Sequence, residues 1–370
     1  MVHASTAATN APIEDEYEDE KKLLTPNPTM SKPKIMIDPQ PRTMDMIFRP
    51  DAQRRLAEIA ELTVFDTGRM PAEMVEKALP ESEILIGQTD LPRERLTRAA
   101  KLRTIFNVEG NFLPNVDYQY CFEHEIRVLI ASPAFAVAVA ESALGLALDL
   151  ARGISRNHGK FKTKTEDYGL ESNQGCHLFT GLKVGIIGFG DLGRTFRPLV
   201  QPFRCPVKVY DPWLPSREIL RYDCEPASLE EILAWSDAIF VFAGVTTENQ
   251  GFLGKRELDL IRPGGLFILM SRAAVVNFDA LTEAVRNGRL RVATDVFPEE
   301  PLSPDHPIRD LENTVLSAHR SGGMTEAFIE IGDMVLSDLE LLVRGLPPMS
   351  CKVAQPETVS RFRGKPVERS

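Results

Sequence analysis

The sequence predicts an α/β protein built from two doubly wound parallel-sheet domains. Three observations carry that expectation. Two successive series of short apolar runs alternate with helical patterns, a polar stretch separates the series, and a glycine-rich turn sits between the first strand and first helix of the second. Strands that alternate with helices pair in parallel, because a parallel crossover needs about a helix's length of chain.

In the first series KIMID (34–38), LTVFD (62–66), ILIG (84–87), TIFNV (104–108) and RVLIAS (127–132) are expected as strands, with helices over 51–61, 71–79 and 92–99. A long helix is expected over 134–152. Glu141 and Asp149 interrupt its apolar run, which marks a buried amphipathic helix and no membrane partner. Residues 153–180 are polar, contain Gly159, Gly169 and Gly175, and are expected as a connecting loop.

The second series gives strands at 183–188, 207–211, 238–243, 266–271, 291–297 and 314–319, with helices starting near Gly190, Ser228, Lys255 and Asp279. A final helix covers about 325–344. The Pro- and Arg-rich tail from Gly345 suggests no regular structure. Residues 1–30 are polar and acidic, lack a basic-then-apolar signal pattern, and are expected to be a disordered tail.

A length of 370 residues suits two packed domains, and 43% hydrophobic with 26% charged residues is ordinary for a globular chain. The net charge of −10, from 43 basic and 53 acidic residues, argues against nucleic acid as a partner. Cys121, Cys176, Cys205, Cys224 and Cys351 are scattered and form no CxxC. Neither a disulfide framework nor a metal site is expected, and a reduced cytoplasmic setting fits.

Gly188-Phe189-Gly190-Asp191-Leu192-Gly193 matches GxGxxG, between an apolar strand and a helix. Gly188 permits the tight turn, Gly190 lets backbone approach a pyrophosphate, and Gly193 lets the helix pack on the strand. The N-terminus of that helix, from Asp191 and Leu192 on, offers unpaired N–H groups and a positive dipole end to phosphates. Asp211 ends the next strand, 18 residues after Gly193. A carboxylate there accepts the ribose hydroxyls of NAD and repels the 2′-phosphate of NADP, so NAD is the expected cofactor in a Rossmann domain.

Arg272, Glu300 and His319 follow later strands of the same series. Strand C-termini face the ligand crevice in such a sheet, so the three can converge there. An imidazole, with an ordinary pKa of about 6.5, can give a proton to the alkoxide that hydride transfer leaves on a ketone. A carboxylate beside it favours imidazolium and fixes the ring. A guanidinium presents a planar fork to a substrate carboxylate and carbonyl.

The chain resembles the D-isomer-specific 2-hydroxyacid dehydrogenases over about residues 34–345. The likeness is carried by GLKVGIIGFGDLGR, RAAVVNFDAL, ATDVFPEEPL and NTVLSAHRSGG, in order and at similar spacing. It implies that Arg272, Glu300 and His319 are the catalytic arginine, acid and histidine, and that Asp295 serves the carboxamide side of nicotinamide. It also implies a flavodoxin-like substrate domain at 31–150 with 321–350, discontinuous around a Rossmann NAD-binding domain at 151–320, with a tail at 351–370. A homodimer is implied, as is an oxidoreductase acting on a 2-keto or 2-hydroxy acid. Corepressor-like relatives, in which NAD(H) controls association, and dehydrogenases of other donors retain the same residues, so both stay open as alternatives.

The chain departs from the family pattern in places. The substrate-carboxylate loop after the fourth strand contains Val108, Glu109 and Gly110. Gly110 still allows close backbone approach. Glu109 either points away or meets an amine or hydroxyl of the substrate. Arg320 follows the histidine and offers a cation to a second anionic group. Thr246 stands in a turn that replaces a proline-bearing one and is expected to contact adenine or ribose.

Overall fold

The computed structural model describes residues 32–361, so the expected disordered tail at 1–30 lies outside the described residues, as does the end of the expected C-terminal tail. The first series forms β1 (Lys34–Asp38), α1 (Met44–Ile47), α2 (Pro50–Ile59), β2 (Glu61–Val64), α3 (Ala72–Ala78), β3 (Ile84–Gly87), α4 (Arg93–Leu96), β4 (Thr104–Asn107), α5 (Tyr118–Glu123) and β5 (Arg127–Ile130). These strands stack in the order β5-β4-β3-β1-β2, all parallel, the flavodoxin-like order. β3 and β4 are buried at every position, as strands covered on both faces must be. Along β1 the alternation of side chains splits the core. Ile35 and Ile37 pack with Ile47, Phe48 and Leu56 on one face, whereas Met36 packs with Val75 and Leu79 on the other.

A 17-residue helix, α6 (Ala136–Arg152), crosses to the second domain. Its Ala140, Ala143 and Ala147 are fully buried against Val184, Ile186 and Phe189. The only described helix long and apolar enough to cross a membrane includes α6, and it is packed here as a core helix. The stretch expected as a connecting loop is not all loop. Gly153 ends α6 in the left-handed region (φ 61°), and α7 (Ile154–Lys162) starts on the next residue. Its polar sequence hid it, because no described core residue comes from it.

The second series forms β6 (Val184–Ile187), α8 (Asp191–Val200), β7 (Val207–Tyr210), α9 (Ser216–Leu220), β8 (Glu225–Pro226), α10 (Leu229–Trp235), β9 (Ala238–Val241), α11 (Lys255–Leu260), β10 (Gly265–Leu269), α12 (Phe278–Arg286), β11 (Leu290–Thr294) and β12 (Thr314–Leu316). The sheet order is β12-β11-β10-β9-β6-β7-β8, the Rossmann arrangement with one added strand. Its order reverses between β6 and β9, which opens a crevice above the C-terminal end of β6.

The chain returns through α13 (Thr325–Val343), whose Ile331, Met334, Val335 and Leu339 pack on Ile47 and Phe48 of the first domain. The tail expected from 351 has regular structure within its described part. Asp338, fully buried on α13, accepts the N–H groups of Met349, Ser350 and Cys351 at 2.7, 2.8 and 2.7 Å. That turn feeds β13 (Lys352–Val353), which pairs antiparallel with β5, and then α14 (Pro356–Val359). Two strand residues among prolines and arginines give no periodic signal, so the sequence pattern missed them.

Candidate active site

The glycine turn follows β6 and opens α8. Gly188 has φ 88°, and a Cβ there would lie 2.5 Å from the backbone N of Ala243. A Cβ on Gly193 would lie 2.8 Å from the carbonyl O of Gly188, so only glycine lets α8 sit this close to β6. A Cβ on Gly190 would meet nothing within 4 Å. Open space therefore stands over the first turn of α8, and no side chain caps that helix. Unpaired N–H groups facing a groove fit a pyrophosphate. Leu192 packs against the core, and Asp191 reaches towards the first domain, where its Oδ2 accepts from Ser132 Oγ at 2.8 Å.

Asp211 follows β7. Its Oδ2 accepts the N–H of Phe189 at 2.8 Å and its Oδ1 the N–H of Trp213 at 2.9 Å, so the acid is stitched to the glycine turn. Thr246 is buried, and its Oγ1 accepts the N–H groups of Glu248 and Asn249, each at 3.2 Å. The hydroxyl oxygen thereby fixes its own turn.

Arg272, Glu300 and His319 lie beyond the C-terminal ends of the neighbouring strands β10, β11 and β12. His319 Nδ1 stands 2.6 Å from Glu300 Oε2, while Glu300 Oε1 accepts the N–H of Phe297 at 3.0 Å. With Nδ1–H donating to the carboxylate, Nε2 is the ring nitrogen left to exchange a proton. Arg272 is half-buried, and its Nη1 donates to the carbonyl of Ser271 at 2.6 Å. Burial pulls its pKa below the ordinary value, opposed by the nearby carboxylates of Glu300 and Glu109. Glu300 thus bonds the histidine and acts on the arginine through its charge.

Asp295 is 2% exposed and is bonded to the backbone that follows His319. Its Oδ1 accepts the N–H of Arg320 and its Oδ2 the N–H of Ser321, both at 3.1 Å. The Arg320 side chain is exposed. Val108 is fully buried, backbone included, in the first-domain core. A Cβ on Gly110 would press the Phe135 ring at 3.2 Å.

Glu109 does not point away. It forms an ion pair with Arg42 through both terminal guanidinium nitrogens, Nη1 and Nη2, the longer contact being 3.2 Å. Arg42, in the loop after β1, is nearly buried, with its guanidinium 5.0 Å from the Phe328 ring centre and 5.8 Å from that of Phe135. The sequence pattern missed Arg42. Its partner lies 67 residues away, and no local signal marks it.

Residues 144–321 match the model of the D-isomer specific 2-hydroxyacid dehydrogenase, NAD binding domain. The D-3-phosphoglycerate dehydrogenase of Methanocaldococcus jannaschii is 27% identical over 299 residues, covering 80% of this chain and 56% of its own. The glyoxylate reductase of Aeropyrum pernix is 26% identical over 310 residues, covering 81% of this chain and 91% of its own. The chain spans about half the length of the phosphoglycerate dehydrogenases it matches. The crystal structure of a phosphoglycerate oxidoreductase from Rhizobium etli is 44% identical, with a TM-score of 0.80, and the match covers 88% of this chain and all of that one.

Proposed function

Because the chain belongs to the D-isomer-specific 2-hydroxyacid dehydrogenase family, we propose that it moves a hydride between NAD(H) and a 2-keto or 2-hydroxy acid. The observation that carries the reading is the 2.6 Å pair of His319 and Glu300 beyond the end of β12, with Arg272 beyond the end of the nearby strand β10. Nicotinamide, when bound, supplies or accepts the hydride. His319 Nε2 gives a proton to the substrate oxygen in reduction and takes it back in oxidation. Glu300 holds the ring through Nδ1 and so fixes its orientation. Arg272 holds the substrate's carboxylate and carbonyl oxygens with a planar fork.

NADH consumption across a panel of 2-keto acids tests this, with glyoxylate, hydroxypyruvate and bulkier phenyl or branched acids included and NADPH as control. Turnover with at least one acid is expected, and tight NADH binding without any turnover would sink the dehydrogenase reading.

The reading includes a cytoplasmic homodimer. All five cysteines are unpaired, in keeping with a reducing compartment. The segment after α6 exposes Phe161, Tyr168, Leu170 and Leu178, and apolar side chains this prominent on one segment suit a partner surface.

A further inference from the structure

The cofactor groove has a charge problem at its centre. Asp191 is the first residue of α8, where a pyrophosphate dianion would settle, and a carboxylate there repels phosphate. The structure answers that charge from outside the Rossmann domain. Lys352 of β13, a strand of the first sheet, places Nζ 2.7 Å from Asp191 Oδ2. An ammonium has three N–H donors, so one bond to Asp191 leaves others for a phosphate oxygen.

The chain beyond Lys352 follows the same groove. The carbonyl of Arg361 accepts the N–H of Thr247 at 3.0 Å, and the Arg361 guanidinium stands 5.7 Å from the ring centre of Trp213. Trp213 is the residue whose N–H bonds Asp211, the acid on the ribose side. The segment from 352 to 361 therefore touches the second domain at both the glycine turn and the ribose-side loop.

From these contacts we infer that Lys352 is a pyrophosphate-binding residue, delivered to the Rossmann groove by the C-terminal segment. The inference rests on the NAD reading above. The cation that offsets Asp191 comes from the substrate domain, so binding the dinucleotide ties the two domains together across the groove.

The test is calorimetric titration of wild type and Lys352→Met with NADH, ADP-ribose and adenosine. Lys352→Met is expected to bind NADH and ADP-ribose about tenfold more weakly, the scale of one charge-assisted hydrogen bond, with adenosine unchanged. Lys352→Arg should recover most of the loss, and raised salt should shrink the difference between wild type and Lys352→Met. Adding Asp191→Asn to Lys352→Met should restore affinity in part, because it removes the charge the lysine neutralises. That double variant also keeps the inference testable if the single one folds poorly. NADH affinity within twofold of wild type, or an equal loss for adenosine, overturns the inference. Wild-type protein that binds neither NADH nor ADP-ribose overturns the cofactor reading itself, an outcome distinct from tight wild-type binding with an unaltered Lys352→Met.

Discussion

Asp295 holds His319 in place. The Asp295 carbonyl accepts the N–H of His319 at 2.7 Å, and its carboxylate accepts the next two N–H groups, those of Arg320 and Ser321. His319 has φ 49°, in the left-handed region, a conformation that costs a non-glycine residue on the order of 1–3 kcal/mol and persists only where its surroundings enforce it. Three successive N–H groups gathered by one residue are such an enforcement.

Asp295→Ala is therefore expected to reduce kcat about a hundredfold, the scale of a catalytic group misplaced by about 1 Å. Two N–H groups, one of them on the buried Ser321, would lose their partners, a destabilisation of about 1–3 kcal/mol for each that stays out of water. NADH affinity, read by fluorescence titration, should stay within about threefold. A large loss of affinity with kcat intact would return Asp295 to the nicotinamide contact the sequence suggested.

Arg272→Lys should not restore the function of the arginine. Arg272 follows β10 and feels the charges of Glu300 and Glu109, and an ammonium has one charged atom where the substrate's carboxylate and carbonyl need a fork. Losing one charge-assisted hydrogen bond of about 1.5–3 kcal/mol lowers kcat/KM by roughly ten- to a hundredfold. Steady-state kinetics with the preferred keto acid measure this, and near-normal kinetics would contradict two-point binding.

Asp211→Ala should erode the preference for NAD over NADP. The carboxylate is fixed by the N–H groups of Phe189 and Trp213, so it cannot swing aside from a 2′-phosphate. The ratio of kcat/KM for NADH to that for NADPH is the readout, and it should fall at least tenfold. A fixed ratio would mean the acid serves the glycine turn alone.

These tests also mark how far the sequence was legible. Strands such as Ile84–Gly87 and Gly265–Leu269 announce themselves because both faces are buried and the run is wholly apolar. The glycine turn is legible because its steric demands are local, and His319, Glu300 and Arg272 because strand ends converge in this topology. Arg42 with Glu109 and Lys352 with Asp191 are pairings 67 and 161 residues apart, and periodicity carries no signal over such separations. The work of Asp295 was hidden for a related reason. Its partners are backbone N–H groups, which every residue has, so no residue type 25 or 26 positions away betrays them.

The surface after α6 gives the last prediction. Tyr168 is 74% exposed and Leu170 83%, and neither belongs to any core cluster of the described residues. Side chains this open add little to the fold of one chain, yet burying their apolar area would contribute about 25 cal/mol per Å² to an interface. Charged replacements there should spare the fold and break the assembly. Light scattering of the wild-type protein is expected to give twice the 41.3 kDa chain mass. Tyr168→Glu with Leu170→Glu should give the single-chain mass with an unchanged circular dichroism spectrum, because a desolvated carboxylate is costly at an interface and free in water. A wild-type monomer would remove the homodimer from the reading, and a double variant that stays dimeric would move the interface to another face.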